Sequence, residues 1–314
     1  MAEHLPTADD ATVWASGLRF PEGPVALDDG SLLVVEVAGE CLTRVAADGT
    51  NSRVVEMPGG PNGAALCGDG EVLVCNNGGF FAWHDVDNMV VPGPTPSTWT
   101  GGRIERVDLA TGTVRTVWDR LDERLQAPND LVLDAHGGVW FTDHGVRQEP
   151  GSTNGHLPSV LYGATDGTGL RAAVVGLDAA NGIGLSPTGD ELYVAETHTG
   201  RLWAWPVAEP GSLGRHPDGI EPHGGRLLFD APEGHLFDSL AVDATGAVVV
   251  GTLATGGLTV VDPSTREATF IALPDPLVTN VCFALDGRRA FCTGSGTGVV
   301  MVLPWPEAGA ARAR

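Results

Sequence analysis

An all-β, six-bladed propeller of four-stranded antiparallel blades is the fold this sequence predicts, and three observations predict it. One hairpin plan recurs six times along 314 residues; 44 Gly and 22 Pro stand against only 18% charged residues; and the last repeat lacks a strand that the N-terminal segment can supply. Short strands joined by tight turns use Gly and Pro in this way. Repeated four-stranded units that cannot cover their own faces stack radially around an axis. We expect one domain over residues 1–314, with the propeller over about 12–305 between short polar tails.

Blade 1 opens at Phe20-Pro21-Glu22-Gly23, turns at Asp28-Asp29-Gly30 and returns over residues 31–37. Blade 2 opens at Pro61-Asn62-Gly63, turns at Gly68-Asp69-Gly70 and returns over 71–77. Blade 3 opens at Pro128-Asn129-Asp130, turns at Asp134-Ala135-His136-Gly137 and returns over 138–143. Blade 4 opens at Ala180-Asn181-Gly182, turns over 186–190 and returns over 191–197. Blade 5 opens at Phe237-Asp238-Ser239, turns at Asp243-Ala244-Thr245-Gly246 and returns over 247–252. Blade 6 opens at Thr279-Asn280-Val281, turns at Asp286-Gly287 and returns over 288–293. A polar residue entering an apolar run, a Gly-containing turn and an apolar return read as a hairpin with chemistry at its open end. Two further strand-like runs follow most hairpins, as in 103–107 and 113–118. Blade 6 has room for only one, 299–303. Thr12-Val13-Trp14-Ala15 would close the ring as its fourth strand and bury an edge.

This topology sorts the loops. Connections from second to third strand share the face that carries Glu22 and Asn129. Two of them are long: residues 78–102, with Phe80, Phe81, Trp83 and Trp99 among prolines, and residues 145–158. Both are candidate lids. Residues 208–226 join third and fourth strands on the opposite face, where we expect no chemistry. His136 decorates a far-side turn, and Trp140, Trp203 and Trp205 are expected to pack between blades.

A formal charge of −22 disfavours nucleic acid and anionic membrane surfaces as partners and favours a cation. Residues 1–19 lack the pattern of an export signal, and no run approaches eighteen apolar residues. The five cysteines form no C-x-x-C pair, as expected of buried thiols in a reducing cytoplasm.

At the start of the six innermost strands stand Glu22, Asn62, Asn129, Asn181, Asp238 and Asn280. Turn chemistry alone accounts for Asn or Asp at one such place. Six of six, with Glu once, describes instead a ring of oxygens converging on the axis. Two carboxylates with amide oxygens, and no His or Cys among them, suit one divalent cation: Ca²⁺ best, with Mg²⁺, Mn²⁺ or Zn²⁺ possible. The hairpins' other ends add Glu36, Asn76, Asn77, Asp143, His144, Glu196 and His198 to the same rim. Among these, Asp143 and His144 are candidate general bases, and Asn62, Asn77, Asn129 and Glu196 candidate substrate contacts. Glu36 and Glu196 either orient ligands or are blade-top charges.

Phe20-Pro21-Glu22-Gly23-Pro24, Pro128-Asn129-Asp130 with Trp140-Phe141-Thr142-Asp143, Ala180-Asn181-Gly182 with Leu192-Tyr193-Val194-Ala195-Glu196, and Phe237-Asp238-Ser239-Leu240 occur in the order seen in the regucalcin/gluconolactonase family, also called the senescence-marker-protein family, which this sequence resembles. The resemblance implies a six-bladed propeller with one catalytic divalent metal. Glu22, Asn181 and Asp238 would be its ligands, Asn129 a fourth ligand or a substrate contact, and Asp238 the usual candidate base. It implies hydrolysis of a lactone, a small-molecule substrate. The sequence departs from the pattern twice: Ala127 occupies the place of the Arg that holds sugar hydroxyls in sugar-lactone members, and Thr279-Asn280 stands where related squid-type phosphotriesterases carry a sixth-blade His. Phosphotriester hydrolysis, another secondary-metabolic reaction on the same site, or a non-catalytic metal-stabilised binding propeller are the alternatives.

Overall fold

The computed structural model describes residues 5–68, 70–146 and 158–310. Its sheets form six antiparallel blades, numbered here as in the sequence repeats. The innermost strands are Pro21–Ala26, Pro61–Leu66, Pro128–Leu133, Ala180–Leu185, Leu236–Val242 and Val278–Phe283. Each packs against the innermost strand on either side, and blade 6 meets blade 1, so the ring is closed. Thr12–Ala15 pairs with Val299–Pro304 as the outer strand of blade 6, as the missing fourth strand predicts.

The core consists of wedges between blades, because each blade buries both of its faces. Val25, Leu33 and Val35 of blade 1 meet Val72, Val74 and Val107 of blade 2. Trp140 and Tyr162 of blade 3 meet Ile183, Val194, Trp203 and Trp205 of blade 4. These tryptophans therefore pack between blades as expected. All five cysteines are buried, with no disulfide among them.

Two features position the channel. Every innermost strand has an irregularity of register beside its polar residue: Glu22/Val25, Pro61/Ala64, Pro128/Leu131, Ala180/Ile183, Phe237/Leu240 and Val278/Asn280. At such bulges two residues oppose one on the partner strand, which re-aims side chains. The strands also approach backbone to backbone. A methyl group on Gly182 would lie 2.6 Å from the Asp238 carbonyl oxygen and 2.6 Å from the Leu240 nitrogen. One on Gly63 would lie 2.6 Å from the Asp130 Cα. Only glycine fits at these two approaches.

Residues 208–226 join the third strand of blade 4, Arg201–Glu209, to its fourth, Arg226–Asp230, as expected. The long connection of blade 2 carries its own hairpin, Trp83–Val86 paired with Met89–Pro92. Its turn residues Asp87 and Asn88 both have positive φ, 49° and 64°, the conformation of a two-residue hairpin turn. The second candidate lid, residues 145–158, lies mostly outside the described residues.

Gly182→Ala should lower stability by about 1–3 kcal/mol, read as a fall in the denaturant midpoint at unchanged slope, because rigid backbone must move. A change below about 0.5 kcal/mol would contradict the close approach of blades 4 and 5.

Candidate active site in the central channel

The six predicted residues stand near the starts of the six innermost strands. Glu22, Asn62, Asn129, Asn181 and Asn280 are at most 6% exposed, while Asp238 keeps a part-exposed surface. Glu22 Oε2 accepts hydrogen bonds from Asn280 Nδ2 and Gly23 N–H, both 2.7 Å, so blade 6 fixes a blade 1 carboxylate across the closure of the ring. Asn280 is itself held by Val281 N–H donating to its Oδ1 at 2.7 Å. Asn181 donates Nδ2 to Thr197 Oγ1 at 2.9 Å, and its Oδ1 lies 3.4 Å from Ser239 Oγ.

Asp130 joins this group. The bulge at Pro128/Leu131 lets consecutive residues Asn129 and Asp130 both leave the strand's regular alternation. Burial pushes the Asp130 carboxyl up to about 8, and the charge of Glu22 adds to the rise; the Ser239 hydroxyl and the Leu131 and Ile183 amides oppose it. Asp130 thus reaches from blade 3 toward blades 4 and 5. Burial likewise raises Glu22, against the hydrogen bonds from Asn280, Gly23 and Thr279. It also raises Asp238 well above the carboxylate range, with the charges of Glu22 and Asp130 adding to the rise.

The rim sorts by alternation. Glu36, Asn76, Asp143 and Glu196 occupy equivalent register positions, opposite Pro21, Pro61, Pro128 and Ala180. Each accepts backbone N–H groups from the segment leading into its own blade: Arg19 to Glu36 at 2.8 Å, Gly60 to Asn76 at 3.0 Å, Gln126 and Ala127 to Asp143 at 2.7 Å, and Asp178 to Glu196 at 2.8 Å. Asp143 also takes Gly145 N–H at 3.0 Å, and Glu196 takes the Thr199 hydroxyl at 2.7 Å. These four turn into their blades rather than toward the axis.

The next residue along behaves differently. Asn77 Oδ1 accepts Gly79 and Phe80 N–H at 3.1 and 3.0 Å and so holds the start of the lid. The His144 ring lies 5.9 Å from Phe80 and 5.7 Å from His198. His198 Nδ1 is 3.2 Å from the buried carboxylate of Asp178, a partner that nothing in the local sequence announces.

The donor set fits a hard cation. Glu22, Asp130 and Asp238 form no ion pair with a basic side chain among the described residues. Asn129 Oδ1 is buried without a hydrogen-bond partner. Buried charge and an orphaned acceptor are both costly unless something positive satisfies them. No group of three His, Cys, Asp or Glu among the described residues is gathered tightly enough to hold an ion alone, so amide oxygens would have to share the task.

The lid extends from blade 2 over its neighbours. Val90 N–H donates to Gly296 O of blade 6 at 2.8 Å, Trp83 packs on Phe20 of blade 1 at 4.8 Å, and Phe80 meets His144 of blade 3. A cleft of about 570 Å³ opens at the hairpin's far end, lined by Leu18, Arg19, Asp85, Asn88 and Thr297. None of the six channel residues lines it.

With this geometry in view, the chain belongs to the SMP-30/gluconolactonase/LRE-like family, whose characteristic region matches residues 20–296. It is 25% identical over 302 residues to a gluconolactonase of Zymomonas mobilis, covering 90% of this chain and 78% of the relative. Among solved structures it resembles a Xanthomonas campestris gluconolactonase, with TM-score 0.72, 23% identity and coverage of 94% of this chain and 89% of that one. It also resembles regucalcin, a calcium-binding protein of Agrobacterium tumefaciens, with TM-score 0.70, 17% identity and coverage of 98% and 95%.

Two outcomes follow from the carboxylates. Asp143→Ala strands three backbone N–H groups and should cost about 2–4 kcal/mol, measured by denaturant unfolding; a neutral variant would deny the anchoring role. Glu22, Asp130 and Asp238 have folded pKa values raised above their unfolded ones, so in chelator-treated protein their contribution is complete below the unfolded value. It is lost as pH rises from there through about 8, the Asp130 value. Melting temperature should therefore fall between about pH 5 and pH 9, less so in Asp130→Asn. The same fall in that variant would exclude Asp130 as its source.

Proposed function

We propose that the chain hydrolyses a lactone at the channel mouth. One divalent cation, Ca²⁺ by the chemistry of the donors, would be held by Glu22, Asn181 and Asp238 with Asn129 as a fourth oxygen. When bound, such a cation supplies a Lewis acid that polarises the ring carbonyl and offsets the negative charge that develops there. The convergence of Glu22, Asp130 and Asp238 without a basic partner among the described residues, in a chain of this family, is the observation that carries the reading.

The chain's own residues do the rest. Asn280 and Gly23 hold Glu22, and Thr197 holds Asn181, so the oxygens are set before a ligand arrives and need little reorganisation. Asp238, the part-exposed member, takes a proton from the attacking water as the water oxygen bonds to the carbonyl carbon. The ring C–O bond then breaks, and the leaving alkoxide takes a proton back. His144 is the second candidate acceptor on the rim. Asn77 keeps one hydrogen-bonding half for a substrate oxygen, because its Nδ2 is buried without a partner.

The roles expected of Asp143 and Glu196 are revised. Their carboxylate oxygens are committed to backbone amides and a hydroxyl, which leaves them as anchors of the segments that lead into blades 3 and 4.

The test is proton release from a lactone panel by chelator-stripped protein, before and after Ca²⁺, Mn²⁺ or Zn²⁺ is restored. Turnover should return with the metal, and Asp238→Asn should lower kcat/KM by about 10³-fold in a folded protein. Full activity in Asp238→Asn would sink the mechanism. A cation that raises the melting temperature without turnover of any ester would point to the binding propeller.

A further inference from the structure

We infer that the substrate carries an apolar substituent, alkyl or aryl, which binds against a wall of aromatic rings formed by the lid; this rests on the lactone reading above. The rings are contiguous. Phe81 lies 4.8 Å from Phe80 and 5.8 Å from Trp83, and Phe80 lies 5.7 Å from Trp99 and 5.9 Å from His144. His144 in turn lies 5.7 Å from His198 of blade 4. The arc therefore runs along the channel face from blade 1, where Trp83 packs on Phe20, to blade 4.

The wall is anchored to the channel residues. Asn77 Oδ1 holds the Phe80 N–H, and Trp99 Nε1 donates to Asn77 O at 2.9 Å. Phe80 is buried as the keystone, whereas Phe81, Trp83, Trp99 and His144 are only partly buried and keep surface for a ligand. Polyhydroxylated rings need charged or hydrogen-bonding groups to replace their water. The side chains of Phe80, Phe81, Trp83 and Trp99 make this wall mostly of carbon. Rings of this kind take apolar or planar groups and bury them at low entropic cost.

The experiment compares γ-butyrolactone, γ-nonalactone, dihydrocoumarin and glucono-δ-lactone with the metal-restored protein. A fully buried methylene is worth about fourfold, so even partial burial of a pentyl chain should raise kcat/KM for γ-nonalactone at least about tenfold over γ-butyrolactone. Dihydrocoumarin should likewise exceed glucono-δ-lactone by about tenfold or more. In Phe81→Ala, which removes a part-exposed ring and should still fold, the gain from the pentyl chain should shrink below about threefold. A preference for glucono-δ-lactone, or an undiminished pentyl gain in Phe81→Ala, overturns the inference.

Failure of hydrolysis altogether would strike the lactone reading instead, and a binding measurement then decides this one. By calorimetry, 5-pentyl-2-pyrrolidinone should bind at least about tenfold tighter than 2-pyrrolidinone, with the difference reduced in Phe81→Ala; equal affinities would remove the apolar wall as a binding surface.

Discussion

Three carboxylates around one axis, Glu22 and Asp130 buried and Asp238 part-exposed, with no basic side chain among the described residues to neutralise them, set the terms for the rest of this molecule. Each of Glu22, Asp130 and Asp238 raises or is raised by another, so the bare arrangement opposes itself. Such a site persists because the surroundings determine it from every side. Glu22 is held from blade 6, Asp130 meets groups from blades 4 and 5, and Asn181 rests on Thr197 of its own blade. The interblade wedges make this possible: each blade is locked to two neighbours by buried aliphatic and aromatic contacts, so the blades cannot splay to relieve the repulsion. Ring closure by Thr12–Ala15 matters for the same reason, since a ring open between blades 6 and 1 would release the Asn280–Glu22 contact first.

The architecture was legible in the sequence because its determinants are local. A Gly-containing turn, a polar residue at a strand start and alternating apolar runs are each fixed by a few neighbouring residues, and six copies reinforce one another. The ring of polar residues was legible for the same reason. What the sequence did not display were the bulges. The one at Pro128/Leu131 lets Asp130 follow Asn129 out of the strand's regular alternation. Read by strict alternation, all the rim carboxylates look alike. Folded, Glu36, Asp143 and Glu196 do behave alike, each accepting backbone N–H groups from the segment before its own first strand, a partnership the sequence does not display. The Asp178–His198 pair was hidden for a simpler reason: its members sit on separate segments of blade 4 that meet only once the blade is folded.

The lid ties these levels together. Asn77 is one residue past a strand that ends by anchoring its own blade through Asn76, and its carbonyl and side-chain oxygens hold Trp99 and Phe80. The rim position that in blade 4 supports Asn181 through Thr197 therefore supports a loop in blade 2. One repeat position thus serves two purposes: Thr197 accepts the Asn181 amide, whereas Asn77, at the start of the longer connection, accepts the Gly79 and Phe80 N–H groups. An insertion at that point can change what stands over the channel oxygens without moving them. The propeller supplies the fixed floor, and the blade 2 connection, latched to Gly296 of blade 6 and packed on Phe20 and His144, sets the shape and polarity of the space above it.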